Sequence, residues 1–405
     1  MCELNRIFYF NSLFDIELGK FSSQKVEQAS AEMTVLFAPL GSRQDRILMG
    51  IDVHDDYWKY LYVCGLSTPQ PFPVTEKVNC NNRFKGEAWG WNEKSICLLK
   101  QAGASCFYPD TGIVEKVNSR CFSNYLAKKY EWGVGGSKFS CDLADYTKIV
   151  SSLSNNFPLV IKPAYGGSGF GFRQIKSLDQ AEEYFSDISF LSKHGGYVVE
   201  PWHERVYDLS TRVEIGHDGS VSLIRHLRPC VNTFGAFYGI YLSPQDPVLK
   251  LYEKVLEDTA LSVSKELYSQ GYWGPAGLDS FVYKDHLTGC HKIASVIEIN
   301  ARHVMSDIVF ELRNSCAQEK HCFFRFISRK KGKLPDNYNS LSEMLGEEEY
   351  NPVTKTGIML VSPLEVYFNN KWSKPLRNAF FIAADSESEL FELDKRLRER
   401  LRKNV

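Results

Sequence analysis

No two of the 11 cysteines stand in a CxxC pair or repeat at a fixed spacing, so neither a disulfide frame nor a structural zinc site is indicated, and buried reduced thiols are expected instead. Cys290 and His291 are adjacent, but neighbours on a strand point to opposite faces, which argues against a shared metal. The chain has no long apolar run. Its N-terminus lacks the apolar core of a signal peptide and no later stretch is long enough to span a bilayer, so a cytoplasmic protein with no membrane partner is expected. It also lacks an excess of charge of either sign. Lys+Arg 48 against Asp+Glu 49 gives a formal net charge of -1, without the bulk basic field of a nucleic-acid binder. No internal repeat is evident, and 405 residues is long for a single core, so two or three domains are expected.

What the chain has is a glycine cluster. Residues 157–172 read Phe-Pro-Leu-Val-Ile-Lys-Pro-Ala-Tyr-Gly-Gly-Ser-Gly-Phe-Gly-Phe, with Gly166, Gly167, Gly169 and Gly171 crowded around Ser168 and Phe170. An apolar run ends in Lys162 and Pro163, and the chain turns back into a second short run at 172–175, which reads as a hairpin tipped by a flap. Glycines tolerate positive φ and let backbone N–H groups approach a phosphate closely, and Lys162 beneath the loop supplies a point charge for the same oxygens. No Lys-Ser/Thr follows the last glycine and a strand, not a helix, comes next, so the Walker and dinucleotide patterns are both excluded. Taken alone, such a loop is about as often a plain hairpin as a ligand cradle.

The rest of the pattern is mixed α/β. Residues 7–10, 34–38 and 60–64 read as strands and 93–102 as a helix, an alternation that points to a small N-terminal α/β unit with a parallel sheet. A helix through Phe122, Tyr125 and Leu126 follows, then the glycine hairpin, a capped helix at 177–185 and a strand at 197–202. A hairpin is expected around His217-Asp218-Gly219, a long amphipathic helix over 248–269, two strands at 278–283 and 295–300, and a closing unit with strands at 357–361 and 379–383 and a helix over 386–401. The basic run at 328–333, with no interleaved aromatics, reads as a solvated linker.

One strand end carries the strongest chemical signal. In Glu298-Ile299-Asn300-Ala301-Arg302, Glu298 and Asn300 face the same side, and Asp279 stands at the equivalent place on the preceding strand. If those strands pair, three oxygen-bearing side chains meet on one surface, the small hard donor set that Mg²⁺ shares with phosphate oxygens and water. Any one of these residues alone is an ordinary polar strand end. Their conjunction with a phosphate-type flap favours a metal site.

In that order, Asn118-Ser119-Arg120, Val160-Ile161-Lys162-Pro163, the glycine flap, Val199-Glu200-Pro201-Trp202, the Asp279 strand and Glu298-Ile299-Asn300-Ala301-Arg302 make the chain resemble the ATP-grasp superfamily of carboxylate–amine or carboxylate–thiol ligases, over about residues 117–308. The closing arginine is similar to the biotin carboxylase and amino-acid ligase branch, and the flanking α/β units to peptide ligases. The resemblance implies an α/β (α+β) ATP-grasp fold: an N-terminal Rossmann-like domain over 1–112, a lid subdomain with the flap over 113–204, a metal-bearing subdomain over 205–330 and a linker with a small α/β cap over 331–405. It implies ATP and Mg²⁺ as cofactors. Lys162 would hold the α- and β-phosphates while the backbone of 166–171 covers the β/γ region, Glu200 and Trp202 would flank the adenine, and Asp208 would meet the ribose hydroxyls or remain a surface acid. Asp279, Glu298 and Asn300 would bind one or two Mg²⁺ ions. Arg302 would grip the substrate carboxylate or else serve a structural salt bridge, while Arg225 and Arg228 would recognise a second carboxylate. The family usually has lysine where Arg120 stands, so either arginine does the phosphate work there or that contact is missing.

The activity so implied is ATP-dependent joining of a small-molecule carboxylate, an amino acid or peptide, to an amine through an acyl phosphate, with ADP and phosphate released. The alternative is a kinase or a nucleotide-binding regulatory module on the same fold. Related ligases are often dimers, which makes a homodimer one arrangement to test; the identity of acid and amine is not written in these motifs.

Overall fold

The computed structural model describes residues 4–21, 24–75, 84–167, 169, 171–285 and 288–403. Ser168 and Phe170, both expected in the flap, lie outside the described residues.

The N-terminal unit is a five-stranded, wholly parallel sheet in the order Gln70–Pro73, Arg46–Met49, Asn5–Tyr9, Phe84–Ala88, Ala104–Ser105. Two of its expected strands are helical. Residues 34–38 fall in a 3₁₀ helix, Thr34–Leu40, in which every residue from Thr34 to Pro39 is buried and whose Pro39 has no N–H to offer a ladder. Residues 60–64 end the helix Asp55–Val63, started by acidic Asp55 and Asp56 in its first turn. The strand at 7–10 and the helix at 93–102 are present, the helix opened by an Asn92–Ser95 capping box.

A four-stranded antiparallel sheet follows, ordered Lys138–Ser140, Tyr197–Pro201, Leu159–Pro163, Arg173–Ile175. All five residues of Leu159–Pro163 are buried, because this strand is internal and covered on both faces. It returns antiparallel into Arg173–Ile175 across the glycine loop, with Ile161 opposite Arg173. Gly169 and Gly171 sit at φ of 77° and 78°, where a side chain would be strained. This subdomain packs a core of its own, including Tyr146, Ile161, Ile188 and Tyr197, apart from the main one.

The remainder is an eight-stranded sheet in the order His291–Asn300, Gly274–Lys284, Arg205–Ile215, Val221–Val231, Phe237–Leu242, His321–Ser328, Arg377–Ala384, Gly357–Leu360. Every pairing in it is antiparallel. The C-terminal strands extend this sheet from its far edge, and the helix Glu387–Lys403 covers them. The long helix Pro247–Ser269, capped by Asp246 with Pro247 at its first position, lies across the Arg205–Ile215 and Val221–Val231 strands. One core runs from Phe8, Phe37 and Trp89 of the N-terminal unit through Val309 to Ile299 and Leu278 of the large sheet, which fixes these two units against each other.

Among the described residues, no helix is long and apolar enough to cross a membrane.

Candidate active site

The strands Gly274–Lys284 and His291–Asn300 pair with Asp279 directly opposite Glu298, and Asn300 opposite Gly277. That register brings the three oxygen-bearing side chains onto one surface. Asn300 Nδ2 donates to Asp279 Oδ2 (3.1 Å) and Ser210 Oγ donates to Asp279 Oδ1 (3.0 Å). Burial, and then the neighbouring Glu298 charge, raise the Asp279 carboxyl to about 6. Two carboxylates set face to face, one of them raised by burial and by the other's charge, form a site short of positive charge. A hard divalent cation fits that deficit. Among the described residues no group of three or more His, Cys, Asp and Glu side chains is arranged to hold a metal ion by itself, and two carboxylates with an amide are the partial donor set that Mg²⁺ completes with phosphate and water.

These residues line a cavity of about 230 Å³ between the three units. Gly167, Gly169 and Phe172 of the flap hairpin and Lys162 form its roof, Asp279, Glu298, Asn300, Ser210 and Asp208 its floor, and Asp15, Trp89 and Arg302 its inner end. A second cavity, of about 260 Å³, adjoins it behind Lys162 and is lined by Glu200, Arg120 and residues 133–137.

Lys162 and Glu200 form a buried ion pair between neighbouring strands, both over nine-tenths buried. Arg120 fastens the flap to the metal-side strand. Its Nη1 donates to Pro163 O (2.8 Å) and its Nη2 to Gly166 O (2.6 Å) and Glu298 Oε1 (2.7 Å), while its Nε is buried without a partner. Both cations lie over the ring of Phe172, at 5.2 Å for Arg120 and 5.5 Å for Lys162. Asp208 is paired with Arg205 (2.6 Å), and burial raises its carboxyl. Trp202 lines neither cavity. Its ring sits at the rim, 5.2 Å from the Arg205 guanidinium.

Arg225 and Arg228 are not brought to the cavity. Along Val221–Val231 the lining residues are Leu227, Pro229 and Val231, and alternation sends Arg228 to the opposite face, where it meets Asp246 (3.2 Å) and the Tyr207 and Tyr241 rings. Arg225 packs over Phe310 at 5.0 Å.

Arg302 is at the cavity but already engaged. Its Nε donates to Asp15 (3.1 Å), its Nη2 to Asp15 Oδ2 (2.5 Å) and Asn300 Oδ1 (2.8 Å), and its Nη1 to His303 O (2.8 Å). Of five guanidinium N–H groups, one on Nη1 is left. Beside it, His303 bridges Asp307 (2.9 Å) and Glu87 (3.1 Å), and Asp307 also pairs with Arg212 (2.5 Å). Burial alone would lower the imidazole, but its two carboxylate partners outweigh that and raise it to about 9. Burial likewise opposes ionisation of Asp307, and Arg212 and His303 together hold it down at about 2. Sequence reading missed Asp15, Glu87, Arg212 and His303, because each gains its meaning from a partner on a remote element. Phe172, next to the last flap glycine, was within reach of the local pattern.

Parallel N-terminal sheet, glycine-tipped antiparallel lid and a large antiparallel sheet bearing opposed carboxylates make up the ATP-grasp fold, and comparison with solved structures agrees. N5-carboxyaminoimidazole synthase from Aspergillus clavatus, solved with ADP and 5-aminoimidazole ribonucleotide, superposes with a TM-score of 0.56 over 98% of this chain and 99% of that one, at 13% identity. The Thermus thermophilus N5-carboxyaminoimidazole ribonucleotide synthetase gives 0.55 over 98% of each chain at 15% identity. Biotin carboxylase from Campylobacter jejuni, in complex with a β,γ-ATP ligand, gives 0.55 over 96% and 90% at 11% identity. No family model and no curated protein matches the sequence.

Proposed function

We propose that the protein is an ATP-dependent, ADP-forming ligase that joins a carboxylate to an amine. The observation that carries this reading is the shared cavity: flap glycines Gly167 and Gly169 face Asp279, Glu298 and Asn300 across it, with Lys162 between. ATP placed there has its phosphates under the flap backbone and beside Lys162, and its ribose beside Asp208. Asp279, Glu298 and Asn300 would hold Mg²⁺, which supplies neutralising charge at the β- and γ-phosphates. A carboxylate oxygen attacks the γ-phosphorus in line and ADP leaves; the amine then attacks the acyl carbon, phosphate departs with the bonding electrons, and a proton is released from nitrogen. The chain contributes position and charge, and the lid excludes water from the acyl phosphate. Arg120 braces the flap base and Glu298, and Asp15 aims Arg302.

A second reading takes bicarbonate as the carboxylate. The structural neighbours are named as carboxyaminoimidazole and biotin carboxylating enzymes, and an Arg302 with a single spare N–H suits a small oxyanion better than bidentate capture of a large one. The test is phosphate release from Mg·ATP with amino acids, dipeptides or bicarbonate, singly and with amines, followed by mass spectrometry. Release requiring both an acid and an amine supports the ligase. A phosphorylated product without an amine makes the protein a kinase, and tight ATP binding without turnover makes it a regulatory module.

A further inference from the structure

A third cavity, of about 370 Å³, lies between the large sheet and the C-terminal helix. Five cationic side chains line it, Arg325, Lys331, Arg377, Arg398 and Arg402, and no acidic one. They converge from separate elements. Arg325 comes from His321–Ser328, Arg377 from the strand paired with it, and Arg398 and Arg402 from one face of Glu387–Lys403 at i, i+4 spacing. Asp394, buried behind them, takes Arg325 (3.1 Å) and Arg398 (3.0 Å) and so offsets one of the five charges. Lys331, Arg377 and Arg402 make no ion pair among the described residues, and the buried Nε of Arg325 has no partner.

Like charges gathered in a concavity repel one another, though water screens the exposed Lys331, Arg377 and Arg402, and a buried arginine N–H without an acceptor costs free energy; a bound anion would relieve both. The walls are not wholly polar. Phe237 and Phe326 meet edge to face at 6.2 Å, and Leu401 lies with them. The volume falls within the range of small-molecule pockets. A neighbouring recess holds four more cations, Arg329, Lys330, Lys333 and Lys374, the last paired with Asp336, so the basic field extends beyond the cavity itself. The aromatic and aliphatic wall of this cavity favours a small molecule with a less polar part over a bare polyanion track.

We propose that this cavity binds a small metabolite carrying a diphosphate or larger polyphosphate group, its phosphates held by Arg325, Arg377, Arg398 and Arg402 and its less polar part against Phe237 and Phe326. The site is separate from the catalytic cleft but shares a wall with it. Phe237 lines both cavities, Asn232 and Ala236 line this one, and Gly235 between them lines the cleft. The turn at 232–236 is tied by Asn232, whose N–H donates to Ala236 O (2.9 Å) and whose Oδ1 accepts from Phe234 N (2.9 Å) and Ala236 N (3.0 Å). Filling the basic cavity therefore presses on a wall of the ATP site.

The probe is pyrophosphate, titrated calorimetrically into the full chain in EDTA, which withholds the metal, and in parallel into K162M, in which the cleft lysine is removed. Binding is expected, and it should weaken by about tenfold or more, the scale of one lost charge-assisted contact, in R377Q/R402Q. Both side chains are exposed, so the double variant should keep its melting temperature and its ATP affinity. No binding to the wild-type chain, loss of binding in K162M, or equal affinity in R377Q/R402Q would each overturn the proposal. A short single-stranded RNA that binds more tightly than pyrophosphate and depends on the same arginines would overturn the small-molecule assignment in favour of a polymer.

Discussion

Glu298 has two duties at once, as an oxygen donor opposite Asp279 and as the acceptor for buried Arg120, and these can be separated. E298Q keeps an acceptor for the guanidinium but removes the charge a metal needs. Phosphate release should fall by at least about a hundredfold, within the range lost when one electrostatic group is removed from an active site. The fold should lose only about 1–3 kcal/mol, the cost of weakening one buried charged hydrogen bond, read from urea denaturation. Turnover at the wild-type level would remove Glu298 from the metal site. At this scale the sequence told most where a residue's neighbours are local. The Glu298, Asn300, Arg302 spacing and the Asp279 strand were readable because strand alternation alone sets their faces. Asp15, which holds Arg302 from 287 residues away, has no local signature at all, and the same is true of Glu87 against His303.

In the proposed function the flap hairpin is the element on which turnover depends. Phe172 lies against Arg120 and Lys162, the cations at the proposed phosphate site, and each cation–π contact is worth about 0.5–1 kcal/mol or more. ATP entry must lift the ring away from Arg120 and Lys162, so F172A should bind ATP several-fold more tightly by calorimetry. A variant with weaker binding would show instead that the ring contacts the nucleotide. This hairpin was legible because everything that makes it is contiguous: an apolar strand, a lysine, glycines that accept positive φ, and a returning strand. The N-terminal elements at 34–38 and 60–64 were misread as strands for the converse reason. Both are short apolar runs, which look alike as a buried strand or a helical turn; 34–38 turns out buried throughout, whereas 60–64 ends an amphipathic helix that leaves Tyr62 and Val63 exposed.

At the scale of the whole molecule, the N-terminal sheet is locked to the catalytic sheet by a chain of charges, Glu87 to His303 to Asp307 to Arg212, in addition to the shared core. The links from Glu87 to His303 and from Arg212 to Asp307 were not readable beforehand, since each joins remote elements; only His303 and Asp307, four residues apart, are local. The chain has a definite pH signature. His303 titrates near 9 in the folded protein and near 6.5 when unfolded, so folding favours its protonated form. That stabilisation is complete below about pH 6.5 and lost as pH rises through 9, and it amounts to something on the order of 3 kcal/mol. Asp307 works in the other direction: its carboxyl, at about 2 when folded and 3.8 when unfolded, stabilises above pH 3.8 and fails only as pH falls through about 2. Between roughly pH 4 and 6.5 both links are whole, and on the alkaline side His303 gives way first. Urea denaturation from pH 6.5 to 9.5 should show wild-type stability declining, whereas H303Q, starting lower, should stay nearly flat over the same interval. Parallel declines in the two proteins would mean that another group governs the alkaline limb and that the inter-unit imidazole is neutral throughout.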